Sequence, residues 1–269
     1  MRFLLPFLVA GFVAATPAAA QVTLPLEPYL GVLWSFQAKD GGRYLLDTAG
    51  GLTAITPATA TKIGCQPWGR ITGHRMRGDR VDLTRCDKVV IEAAGAKLAV
   101  ATAGVFDFAK LLPPNAPTLE GSVALDAFAG QVVTLDLGGQ ALVVETPASL
   151  KARIKGAQEV PVRFARDAGG LALTPFVPVE TPKGAVWMEL DSGSNGAVVV
   201  AQHNAALFGM NPDSQERQPV VLSIQGGPKV QTQGLVMDLV IDGNIGAPLL
   251  KDWIVTLDLA NTRAWIKAR

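Results

Sequence analysis

The chain has 269 residues, 49% of them hydrophobic and only 17% charged, with a formal net charge of +1. That balance argues against a nucleic-acid partner or an anionic membrane surface, both of which call for clustered Lys and Arg. Its two histidines, His74 and His203, make no ligand-spaced pair, so neither a metal site nor a cofactor is expected.

The first residues form a targeting pattern. Arg2 supplies the positive start, residues 3–15 an apolar run, and Ala18-Ala19-Ala20 a small-residue cleavage site before Gln21. The run is short for a membrane span. These features predict a signal peptide over 1–20 and a periplasmic or secreted protein with no stable membrane insertion once it is removed. Export in turn predicts that Cys65 and Cys86 are bonded. The bridge closes a loop of about 20 residues and contributes roughly 3 kcal/mol.

In the mature chain, 32–38 (VLWSFQA) reads as a strand, Lys39-Asp40-Gly41-Gly42 as a turn and 43–47 as the return strand. The return strand runs into Asp47-Thr48-Ala49-Gly50, and 57–63 then reads as a short helix capped by Thr56 and closed by Gly64. Cys65 and Cys86 bracket a basic segment, 71–81 (ITGHRMRGDRV), whose Gly73, His74 and Arg75 mark a candidate flap hairpin. Residues 132–144 (VVTLDLGGQALVV) form strand, turn, strand, and 148–156 a short helix or linker.

The second half repeats this order. Residues 173–180 form a strand and 185–191 the return strand, which runs into Asp191-Ser192-Gly193-Ser194. A short helix at 201–208 follows, closed by Gly209, and 254–266 (IVTLDLANTRAWI) repeats the V-T-L-D-L core. A period this long is no solenoid. It predicts two related, mostly β lobes: residues 21–147, a linker at 148–160, and residues 161–269, without a stable partner chain.

Each lobe thus lifts one carboxylate to the tip of a tight turn after an apolar strand. Two carboxylates brought face to face cannot both ionise freely and share one proton. One then takes a proton from water while the other protonates a substrate carbonyl, which hydrolyses an amide without metal or covalent intermediate. Thr48 and Ser192 would brace the two turns. No G-x-S-x-G motif or His-linked serine competes with this site. Asp136 and Asp258, in the V-T-L-D-L cores, read as turn residues, and His203 as structural.

The order Asp47-Thr48-Ala49-Gly50, then Asp191-Ser192-Gly193-Ser194, then Asp242-Gly243-Asn244-Ile245-Gly246 resembles the aspartic peptidases of the pepsin and retropepsin type, most of all bacterial two-lobed ones. The resemblance implies β-barrel-type lobes, a catalytic Asp from each, Asp47 and Asp191, and a hairpin flap over a cleft that takes a peptide or protein substrate. Thr48, Ala49, Gly50, Ser192, Gly193 and Ser194 would support the pair. The first lobe departs from the pattern at Ala49 and Ala124, where the family has glycine. A methyl at Ala49 is expected either to crowd the facing loop or to bar a needed backbone geometry, with Gly50 as partial compensation. Two functions stay open on this reading: an endopeptidase, and a peptidase-like module that binds peptides without turnover.

Overall fold

Alternating apolar and polar residues set most of the mature chain into strands. The computed structural model describes residues 21–269, so the signal peptide expected over 1–20 lies outside the described residues. Their strands gather into sheets of eight, seven and six, joined by a few short helices. The first half of the chain builds the eight-stranded sheet and the second half the seven-stranded one, which gives the mostly β, two-lobed architecture expected.

The six-stranded sheet takes strands from both halves. At its centre Val132–Asp136 pairs antiparallel with Trp253–Asp258, so the two V-T-L-D-L copies meet each other. Thr134 stands opposite Thr256, their buried hydroxyls 2.9 Å apart. A residue facing its own repeat marks an approximate two-fold axis between the lobes. The stretch expected as a linker, 148–160, ends in a strand of this sheet. It holds the helix Pro147–Arg153, capped reciprocally by Thr146 and Ser149. It also holds the strand Gln158–Val160, which pairs with Arg263–Ala268.

Each lobe threads one distant strand between the two that flank its acidic turn. Gly121–Val123 runs parallel to Arg43–Leu46 and antiparallel to Ala54–Ile55. Gly243–Gly246 runs parallel to Gly184–Asp191 and antiparallel to Val198–Ala201. The strands before and after each turn are therefore spread apart, and the turn projects from between them. Such close threading excludes side chains at two places. A Cβ on Gly121 would lie 2.3 Å from the Ala54 carbonyl oxygen, and one on Gly246 would lie 2.0 Å from that of Gly196.

The short helices follow the sequence. Thr56 caps Pro57–Lys62 by accepting from the Thr59 N–H, and Gly64 leaves it at φ +71°. Its second-lobe counterpart, Gln202–Phe208, is wound as a 3₁₀ helix and ends at Gly209 with φ +69°. Cys65, just past the first helix, is bonded to Cys86 with the Cα atoms 6.0 Å apart.

Neither lobe closes fully into a barrel. The seven-stranded sheet bends back until Val179 meets Ile224, but through a single isolated bridge. Pro178 and Pro219 lie in the two strands that approach there. A proline has no N–H with which to extend a ladder, so the seam stays open.

Candidate active site

The sites expected from the two halves come together. Thr48 and Ser192, the residues after the two aspartates, lock the turns to each other with four buried hydrogen bonds. Thr48 Oγ1 donates to the Leu190 carbonyl at 2.7 Å and accepts from the Ser192 N–H at 2.9 Å. Ser192 Oγ donates to the Leu46 carbonyl at 2.8 Å and accepts from the Thr48 N–H at 3.0 Å. Each hydroxyl thus spans from one lobe to the other, and both residues are wholly buried.

Beside the brace, Asp47 and Asp191 keep only part of their surface accessible. Asp47 Oδ1 accepts from the Ala49 N–H at 3.2 Å, and Asp191 Oδ1 accepts from the Gly193 N–H at 2.8 Å. Burial, and then the charge of Asp191, push the Asp47 carboxyl up to about 7. Burial also raises Asp191, against the pull of the Asn244 amide and the Gly193 and Ser194 N–H groups. The two carboxyls are near enough to bear on each other's ionisation, and carboxyls so placed do not both ionise freely.

Gly193 shows how tight the pair is. A Cβ there would lie 2.6 Å from the Asp47 Cγ and Oδ1. Its repeat is Ala49, which carries the methyl that Gly193 lacks. Neither residue has positive φ. Backbone geometry is therefore not what a methyl at Ala49 disturbs, and that half of the expectation is corrected: the constraint is space. Gly50 also supplies room rather than backbone freedom, since a Cβ there would lie 3.0 Å from the Asp47 Cγ. The left-handed residue of this turn is Gly51, at φ +67°. Ser194 sits past the second aspartate, its Oγ accepting from the Gly196 N–H at 3.3 Å.

A third buried carboxyl, which sequence reasoning missed, adjoins Asp191. Glu189 shares a strand face with Asp191 and pairs across to Asn244. Asn244 Nδ2 donates to Asp191 Oδ2 at 2.7 Å and to Glu189 Oε2 at 3.1 Å. Burial, then the Asp191 charge, raise the Glu189 carboxyl well above the usual carboxylate range. The available signal was a Glu two residues before the acidic turn in an otherwise apolar strand. The first lobe carries Leu45 and Ser122 at the paired positions. It has its own buried acid, Asp126, which accepts from the Thr53 hydroxyl at 2.6 Å and from the Thr53 N–H at 3.0 Å. Burial pushes Asp126 up to about 6.

The candidate flap is a hairpin, Trp68–His74 paired with Arg80–Ala93. Gly73 and His74 end its first strand, and Arg75 opens a turn closed by the Gly78 N–H on the Arg75 carbonyl at 2.7 Å. The tip rests on the second lobe. The Val240 N–H donates to the Met76 carbonyl at 2.9 Å, and Met76 packs with Leu239 and Ile241. Among the remaining singled-out residues, His203 is exposed and lies 3.4 Å from Asp242. Asp136 accepts from the Gly139 N–H at 2.9 Å, and Asp258 from the Asn261 N–H at 3.0 Å, so both serve turns.

A two-lobed β fold with one acidic turn per lobe, meeting on a two-fold axis, is a pepsin-like fold, and solved structures share it. Basic 7S globulin from soybean superposes with a TM-score of 0.60 at 13% identity, over 93% of this chain and 95% of that one. Conglutin gamma, a basic 7S globulin from lupine seeds, gives 0.57 at 9% identity over the same shares. No family model and no curated protein matches the sequence. No helix among the described residues is long and apolar enough to cross a membrane.

Proposed function

We propose that this chain is an exported aspartic-type endopeptidase, cleaving an extended peptide held between its lobes. The observation that carries the reading is the reciprocal Thr48–Ser192 exchange, which locks together the two turns that bear Asp47 and Asp191 and so holds the two carboxyls as a pair. One ionised carboxylate takes a proton from a water as that water attacks the peptide carbonyl. The protonated partner gives its proton to the carbonyl oxygen, and the amine leaves once its nitrogen is protonated. Holding both groups in place by buried bonds removes the need to orient them during reaction. The hairpin that reaches the second lobe supports a covering role over bound peptide. The disulfide and the targeting pattern support export to the periplasm or outside the cell.

A second reading, peptide binding without turnover, has specific support. Ala49 adds a methyl beside the pair, and the structural relatives are globulins, a name that carries no enzymatic activity. Turnover of a peptide library by the mature chain tests the first reading, with a hydroxyl-bearing transition-state peptide as inhibitor. Cleavage blocked by that inhibitor and absent from Asp191→Asn supports it. Saturable binding of the inhibitor with no product from any peptide favours the second.

A further inference from the structure

We propose that Asn244, held by an uncharged Glu189, fixes the negative charge of the pair on Asp191, making Asp191 the base and Asp47 the acid. The proposal rests on the reading of Asp47 and Asp191 as a proton-sharing pair, and it adds two positioning residues to that site.

The geometry is one-sided. The backbone serves both aspartates alike, with N–H groups from Ala49 and Gly50 bearing on Asp47 and from Gly193 and Ser194 bearing on Asp191. Only Asp191 receives a further donor, the Asn244 amide at 2.7 Å. A hydrogen bond to the charged form favours that form, so the extra donor draws the charge to the second lobe. The first lobe has Leu45 and Ser122 at the paired positions, and no side-chain amide there donates to Asp47.

Glu189 determines how Asn244 is turned. The amide has two hydrogens, one on Asp191 and the other on Glu189 Oε2. Asn244 itself is fully buried, and its Oδ1 accepts from no group of the protein. A protonated Glu189 carboxyl carries an O–H, the kind of donor which that oxygen lacks. An ionised Glu189 would leave the oxygen orphaned. It would also set a second negative charge on the amide that serves Asp191. The ionisable groups bearing on Glu189 are themselves acidic: Asp191, Asp47 and Asp167. Neutral Glu189 thus anchors Asn244 without competing for the charge.

The test is a carbon-13 titration of the full mature chain labelled at the Asp and Glu carboxyls, for the parent, Glu189→Gln and Asn244→Ser. In the parent, Asp191 ionises first, Asp47 about one unit or more later, and Glu189 stays protonated while Asp191 is charged. Glu189→Gln repeats the neutral donor and acceptor pattern, so it leaves the Asp191 midpoint in place. Asn244→Ser removes the amide donor and narrows the gap between the two aspartates by about one unit. If peptides are cleaved, the acidic limb of the kcat/KM profile moves with the Asp191 midpoint in each variant. A parent in which Asp47 ionises first overturns the proposal, and so does a Glu189→Gln chain whose Asp191 midpoint drops by about one unit. Either leaves the proton-sharing pair standing. Independent titration of both aspartates at ordinary carboxylate values overturns the pair and the proposal together. Absence of turnover bears on neither, since the titration needs none.

Discussion

Asp47 and Asp191 end equivalent strands, meet on one axis and are braced by equivalent hydroxyls, yet they stand in different surroundings. Behind Asp191 lie a carboxamide and a third carboxyl, while behind Asp47 lie a leucine and a serine. The turn facing Asp47 carries a glycine, Gly193, whereas the first turn carries Ala49 at the repeat position. The brace is symmetric because four buried backbone groups must each find a partner. The surroundings are free to diverge because they act on charge and space, not on folding. Two-fold architecture therefore supplies the meeting of the carboxylates, and departures from it give each its own part.

The largest effect is expected from removing either carboxylate. Asp191→Asn and Asp47→Asn each lower kcat by about a thousandfold or more, at least about 4 kcal/mol of barrier. Circular dichroism and thermal unfolding should show the fold retained. Normal cleavage by either variant would remove the paired-carboxylate reading altogether.

Breaking the brace tests the symmetric part. Thr48→Ala leaves the Ser192 N–H and the Leu190 carbonyl without their buried partner. A loss of about 3 kcal/mol in urea unfolding is expected, with Thr48→Ser nearly neutral. The mirror variant Ser192→Ala should cost a similar amount. The double variant should cost less than the sum, because the two hydroxyls serve one network. Full additivity would mean that the lobes are not coupled through this exchange.

Gly193→Ala makes the second turn resemble the first. Its new methyl would stand 2.6 Å from the Asp47 carboxyl, which has to shift. A hundredfold fall in kcat is expected, about 2.7 kcal/mol, with KM little changed. An unaffected rate would show that the pair tolerates crowding from this side.

The buried acids also predict how stability follows pH. Asp47 is pushed up to about 7 and Asp126 to about 6, and Glu189 and Asp191 are raised as well. In this window the native state binds protons that the unfolded chain has released, so stability falls as pH rises. It is complete below the ordinary carboxylate range and is lost as pH climbs through about 6 to 7. Asp40, Asp82, Glu92 and Glu159 are lowered by surface partners and act the other way only at more acidic pH. We expect about 2 kcal/mol more stability near pH 5 than near pH 8, read as a higher Tm. Asp126→Asn should flatten the slope without affecting turnover.

Much of this arrangement was legible in the sequence for a physical reason. Turn chemistry is local, so Asp47-Thr48 and Asp191-Ser192 announce themselves, and the V-T-L-D-L repeat announces the two-fold relation. Cys65 and Cys86 were readable because the chain has only two cysteines, each with a single possible partner within it. Glu189 was not, because its meaning depends on Asn244, 55 residues away and brought alongside by the threaded strand. The open seam at Val179 and Ile224 was hidden as well, since a proline's cost depends on which strand comes to face it. The resting place of the hairpin tip on Val240 is likewise a long-range contact with no local pattern to reveal it.

The smallest expected effect, and the sharpest test of the comparison, comes from Ala49→Gly, which makes the first turn resemble the second. Ala49 has no positive φ, so glycine brings no relief of backbone strain. What it removes is the methyl that the repeat position Gly193 lacks, in a site where Asn244 holds Asp191 at 2.7 Å. If the methyl holds Asp191 off its best approach to Asp47, its removal should raise kcat about tenfold, or 1.4 kcal/mol. The same change gives the unfolded chain more freedom and should cost about 0.5 to 1 kcal/mol of stability. Rate and stability thus move in opposite directions, which separates relief of crowding from a general tightening of the fold. The measurement is kcat on one peptide at acidic and neutral pH, beside urea unfolding of the same preparations. A fall in stability with no rise in rate at either pH rejects crowding. The Asn244 hydrogen bond would then already hold Asp191 where the pair needs it, with the methyl merely filling space beside it.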